Sequence, residues 1–155
     1  MSAAVAEETL VLTREFHAPV DRVFAAWTQA ELLAQWFGPE GFTVLESSVN
    51  CYAGGQYEIT IESADKTRIR HWGEYVLVEA PARLIFTWVL DNQDCQGSKA
   101  LCATTLVELN FVERGGVTEL TLKHEKLPGQ VALDGHRFGW LSSFECLVAF
   151  LSGTG

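Results

Sequence analysis

After Leu127-Pro128-Gly129 the chain runs QVALDGHRFGWLSSFECLVAFL from Gln130 to Leu151. Trp140, Phe144, Leu147 and Leu151 recur there at i, i+4, i+7 and i+11, the apolar stripe of an amphipathic helix. At about 1.5 Å per residue this helix is roughly 30 Å long, the width of a small domain. A single helix of that length needs a large surface to lie on, and the residues before it supply one.

From Phe42 the apolar period is two. Phe42–Val49 reads as a strand, and Ala53-Gly54-Gly55 as a turn whose paired glycines admit positive φ. Tyr57, Ile59 and Ile61 then alternate with polar residues in the next strand. Ile69–Glu79 is another, turned by Ala80-Pro81-Ala82 into Arg83–Leu90 (RLIFTWVL), which is apolar enough for a central strand. Asp91–Lys99 (DNQDCQGSK) is a polar loop, and Leu101–Glu113 and Val117–His124 form a hairpin across Gly115-Gly116. Further upstream, Leu10–Phe16 is a first strand stopped at Ala18-Pro19. Val20, Val23, Phe24 and Trp27 mark a short helix. Thr28-Gln29-Ala30-Glu31 fits a capping box for a second one, which carries Leu32, Leu33 and Trp36 and ends at Gly38-Pro39. Sequential strands joined by hairpin-length turns imply an antiparallel sheet, and so an α+β fold. The expected architecture is a curved sheet of six to seven strands wrapped around the long C-terminal helix, with the two short helices closing one end. A sheet gripping a helix in this way tends to leave a cavity between them.

The chain has 155 residues, twenty acidic and eleven basic, for a net charge of −9. The length suits one domain, expected over 9–152, with 1–8 as a flexible N-terminus. The acidity argues against nucleic acid and against an anionic membrane surface, which both need a basic face. No apolar window is long enough to insert in a membrane, and Met1–Leu10 lacks the pattern of a signal peptide. Cys51, Cys95, Cys102 and Cys146 show no zinc spacing and no secreted framework, so they read as reduced thiols of a cytoplasmic protein.

Motifs of known chemistry are absent: no GxSxG, no GxGxxG after a strand, no P-loop and no HExxH. Neither a metal nor a cofactor is expected. His124 shares the parity of Thr118, Leu120 and Leu122. The plainer reading makes it a hydrogen-bonded structural residue; the sharper one makes it a base in the cavity. Arg83 reads as a structural anchor. The aromatic content is the stronger signal, with five Trp, nine Phe and three Tyr. Trp36, Tyr57, Phe86, Trp88, Trp140 and Phe144 fall on inward parities, and Ile59, Tyr75, His124 and Leu147 complete the expected cavity lining. The bland alternative is that these rings simply pack a core. Trp72 has the opposite parity to Tyr75 in its strand, so one of the two faces outward or lies near an edge.

Spread along the chain are Phe16-His17-Ala18-Pro19 with Val23-Phe24 and Trp27, Gln35-Trp36-Phe37-Gly38-Pro39, Gly54-Gly55-Gln56-Tyr57 and Gly73-Glu74-Tyr75. They continue in Ala80-Pro81-Ala82-Arg83-Leu84-Ile85-Phe86-Thr87-Trp88, Gly116-Val117-Thr118-Glu119-Leu120-Thr121-Leu122, and His136 with Gly139-Trp140. In this order and spacing the chain resembles the START-like, helix-grip superfamily (SRPBCC). Within it, the resemblance is to single-domain, bacterial-type members of the branch named for the activator of the heat-shock protein 90 ATPase. The branch usually has Asp, Arg and Pro before the glycine pair; Asn50, Tyr52 and Ala53 stand here, so no charge-bearing role is expected of that turn. The resemblance implies binding of a small hydrophobic or amphipathic molecule, such as a lipid, between sheet and helix, without catalysis. The alternatives it implies are a chaperone-accessory or stress-response role on a heat-shock protein 90-type ATPase, and a cyclase- or hydrolase-like cavity enzyme with His124 as base. A homodimer through edge strands or exposed aromatics such as Phe37 or Phe42 is a further expectation.

Overall fold

Alternating apolar residues from Phe42 onward pair into one antiparallel sheet because each strand has an inner face to bury. A computed structural model describes residues 7–90 and 103–152. The polar loop read at Asp91–Lys99, the first residues of the strand read from Leu101, Cys95, Cys102 and most of the N-terminal tail lie outside them. The described elements are β1 (Glu7–Phe16), α1 (Val20–Thr28), α2 (Ala30–Trp36), β2 (Phe42–Val49), β3 (Gln56–Ser63) and β4 (Arg68–Glu79). They continue with β5 (Arg83–Leu90), β6 (Ala103–Arg114), β7 (Val117–Pro128) and α3 (Gln130–Ser152). The sheet has seven strands in the order β1-β7-β6-β5-β4-β3-β2. Every neighbouring pair is antiparallel. The fold is α+β, a curved sheet around a long C-terminal helix, as the sequence implies.

Register breaks bend the sheet. They fall between Glu8 and Leu10 against β7, between Val44 and Glu46 against β3, and between Tyr75 and Leu77 against β5. Such irregularities increase local twist and let a sheet wrap. At Gly73 the neighbouring strand comes so close that an added Cβ would stand 2.0 Å from the Thr87 carbonyl oxygen, so only glycine fits. Glu74 N–H donates to Thr87 Oγ1 at 2.8 Å beside it.

α3 crosses the inner face, packed on β1, β7 and α2. Its stripe Trp140, Phe144, Leu147 and Leu151 is buried, as are the facing Leu10, Phe16, Leu120 and Leu122. Phe144 meets Phe16 edge-on at 6.0 Å and Trp27 at 6.5 Å. The capping box does not form: Thr28 is the last residue of α1, and its hydroxyl donates back to Phe24 O at 3.0 Å. Gln29 therefore precedes α2 without a side-chain cap. Ion pairs hold the periphery. Arg14 joins β1 to Glu145 of α3, and Arg83 Nε donates to Glu108 Oε2 at 2.8 Å across β5 and β6. Trp72 faces the outer side of the sheet, buried with Val89 and covered by the Arg70 guanidinium 4.2 Å from its ring centre. Among the described residues no helix is long and apolar enough to cross a membrane.

Candidate functional site

The N-terminal half of α3 stands off from β3, β4 and β5, and a pocket of about 280 Å³ lies between them. Ile61, Ile69, His71 and Trp88 form its sheet wall, and Phe37-Gly38-Pro39 closes one side. The helix wall is Ala132, Gly135, His136, Gly139, Trp140 and Ser143. Much of that wall is small residues. A Cβ built on Gly135 or Gly139 would meet nothing within 4 Å, so both positions border open space. Glycine inside a helix costs about 1 kcal/mol relative to alanine, and α3 has two on one face. No Lys, Arg, Asp or Glu is among the lining residues.

Three histidines gather at this end of the fold. Trp140 Nε1–H donates to His124 Nδ1 at 3.1 Å, which leaves the ring proton on Nε2. Nε2–H then donates to Thr105 Oγ1 at 2.7 Å, and that hydroxyl donates to Trp88 O at 2.7 Å. The chain of bonds uses both ring nitrogens of a fully buried imidazole. Burial, with repulsion from His136, pushes its pKa down to about 3, so it is neutral.

His136 lies 5.0 Å from His124, ring centre to ring centre, at 84°. Its Nδ1–H donates to Ala132 O at 2.8 Å, so in the neutral ring Nε2 carries the lone pair. His71 is stacked on Trp88 at 4.5 Å and 28°, with Phe37 edge-on at 5.6 Å. Neither His71 nitrogen, nor His136 Nε2, nor Ser143 Oγ has a hydrogen-bond partner among the described residues. Burial and repulsion from His136 push His71 down to about 4, and burial lowers His136 as well. The pocket thus presents aromatic faces and a few uncharged polar tips. Among the described residues no group of three or more His, Cys, Asp or Glu is placed to hold a metal.

Two other spaces differ in kind. A void of about 20 Å³ is lined by Tyr57, Ile59, Tyr75 and Phe86 with Trp27, Leu33, Phe37 and Trp88, and Trp27 Nε1 is buried with no hydrogen-bond partner among the described residues. It is large enough for about one water molecule. On the outer side of the sheet a polar depression of about 650 Å³ is edged by Glu46, Glu58 and Glu74 beside Arg70. The helix-side pocket combines apolar walls with polar atoms on its lining, the usual form of a small-molecule site.

The family model described as "Activator of Hsp90 ATPase homolog 1-like protein" matches residues 17–152. The chain belongs to that family. A solved Activator of Hsp90 ATPase homolog 1-like structure from Silicibacter pomeroyi is 27% identical, with a TM-score of 0.81 over 94% of this chain and 98% of that one. A protein from Chromobacterium violaceum, 23% identical, superposes with a TM-score of 0.80 over 94% and 98% of the two chains. One from Arthrobacter aurescens, 21% identical, does so with 0.80 over 99% and 94%. At those identities the last two show the fold alone. No curated protein matches the sequence significantly.

In this member of the family the residues expected to line a cavity are divided among three places. Trp88 and Trp140 line the 280 Å³ pocket. Tyr57, Ile59, Tyr75 and Phe86 surround the small void with Trp88. Trp36 is buried with its Nε1–H donating to Ala26 O at 2.9 Å, and Phe144 and Leu147 are fully buried under α3. His124 sits behind Trp140, joined to it by a hydrogen bond. The pocket also holds His71 and His136, which were not among the expected lining residues. Each had a signal: His71 has the strand parity of Tyr75, and His136 precedes Trp140 by one helical turn.

Proposed function

We propose that this protein binds a small hydrophobic or amphipathic molecule in the pocket between α3 and strands β3 to β5. The observation that carries the reading is an apolar, uncharged pocket whose helix wall includes two glycines, Gly135 and Gly139, each facing open space. A volume of 280 Å³ lies at the small end for ligand sites, which suits a molecule of one or two rings or a short acyl chain. His124 belongs to the framework in this reading, since both its nitrogens are engaged within the protein.

Titration with lipids and small aromatic compounds, followed by Trp emission, tests it, because Trp88 and Trp140 form the walls. The expected result is a saturable change that Gly139→Leu abolishes while the far-UV circular dichroism stays the same. No ligand-dependent change across the panel would reject the proposal.

A further inference from the structure

A hydroxyl group can donate its proton to one acceptor while its oxygen accepts from a donor. The pocket offers both on neutral rings. The only proton of the neutral His136 ring is committed to Ala132 O, so Nε2 is an acceptor that cannot change role by switching tautomer without losing that bond. His71 keeps one N–H in either tautomer, and its ring plane is held by the stack on Trp88. Trp88 and Trp140, 5.0 Å apart, and Phe37 supply aromatic faces beside these two groups.

Charge narrows the ligand further. An anion would enter a pocket without Lys or Arg, in a chain of net charge −9. A cation would find no carboxylate in the lining. Either ion would lose its hydration without a partner, which is costly in an apolar space. A neutral, flat molecule carrying a hydroxyl meets neither penalty.

We infer that the pocket selects a neutral hydroxyaromatic molecule, whose O–H donates to His136 Nε2 and whose oxygen accepts from the His71 ring N–H. This rests on the ligand-binding reading above and names the ligand class for the same site. Burial holds both rings neutral, His136 adds repulsion on His71, the bond to Ala132 O partly opposes the effect on His136, and His124 is the other titratable group nearby. Binding then weakens in acid, below the ordinary histidine range, as the acceptor is protonated.

Calorimetric titration of the intact protein with 2-naphthol, 2-methoxynaphthalene, naphthalene and 2-naphthoate provides the test. The expected result is 2-naphthol binding roughly five- to tenfold more tightly than its methyl ether, the usual worth of one hydrogen bond, with naphthoate the weakest. His136→Phe should erase the preference for naphthol over its methyl ether, and His71→Phe should reduce it. Equal affinity for naphthol and its ether, or tightest binding of naphthoate, overturns the inference while leaving the ligand-binding reading intact. A preference that survives in both variants overturns the assignment of these two rings. Saturation by none of the four compounds overturns the inference, and the lipid titration above then decides the ligand-binding reading separately. The comparison among ligands on the unaltered protein decides the matter even if a variant does not fold.

Discussion

Neutral histidines inside a fold make stability depend on pH in a definite direction. His71 and His124 have pKa values of about 4 and about 3 in the folded protein, against 6.5 for the free side chain. Above pH 6.5 both states leave these rings unprotonated, and the full stability is present. As the pH falls below 6.5 the unfolded chain takes up protons that the folded chain refuses, so stability is lost progressively until the pH reaches the folded values. The loss approaches about 1.4 kcal/mol per pH unit for each histidine, and comes to roughly 3 kcal/mol for the two between pH 6.5 and pH 5. His136 adds to it in the same direction. Urea unfolding at pH 7, 6 and 5 should show the midpoint falling, and His71→Phe should reduce the slope by about one proton. A midpoint that does not move over this range would contradict the neutral assignment. The sequence placed His124 on the buried parity of its strand, but its three-bond relay through Thr105 to Trp88 joins residues from β5, β6, β7 and α3. No local pattern encodes a relay of that kind.

At the scale of the element, α3 is two helices in function. Its C-terminal half carries Phe144, Leu147 and Leu151 into the core, the stripe that periodicity identifies. Its N-terminal half turns Ala132, Gly135, Gly139 and Ser143 toward the pocket and leaves Val131 and Phe138 exposed. Small residues carry little hydropathic signal, so a face that makes space is nearly invisible to a period count. Gly139→Ala should stabilise the protein by about 1 kcal/mol, a rise in Tm of about 2–4 °C, because the added methyl meets open space and helix propensity improves. The same variant should bind any pocket ligand more weakly. Thermal melts and a ligand titration on one preparation check both, and a fall in Tm would show that the glycine serves the backbone. The short helices teach a related lesson. Thr28-Gln29-Ala30-Glu31 has the composition of a capping box, yet the Thr28 hydroxyl bonds within α1, because α1 runs on to that residue.

Over the whole molecule, one aromatic network joins the layers. Phe144 lies against Phe16 of β1, Trp27 of α1 and, at 6.5 Å, Trp140 of its own helix. Trp140 continues it to Trp88 of β5. Phe144→Ala removes the ring at the centre of this network, where nothing can collapse to fill the gap without moving α3. The expected cost is about 3–5 kcal/mol, read as a lower denaturant midpoint with the cooperative transition retained. A cost under about 1 kcal/mol would mean that α3 is held mainly by its edge contacts, such as Arg14 with Glu145.

Element order, antiparallel pairing and the wrapping of a sheet around the last helix were legible in the sequence, because they depend on period and on turn residues that act over a few positions. The inward parity of Trp88 and Trp140 was legible for the same reason. Whether the inward rings fill or line the interior was not. Tyr57, Tyr75 and Phe86 close on one another from β3, β4 and β5 and leave a space of about 20 Å³, whereas Trp88 and Trp140 leave one of about 280 Å³ beside them. That difference depends on how far α3 stands from the sheet and on which helix residue lacks a side chain opposite each ring. Such distances are set only when the layers meet, so the tertiary structure alone decided where this protein keeps its open pocket.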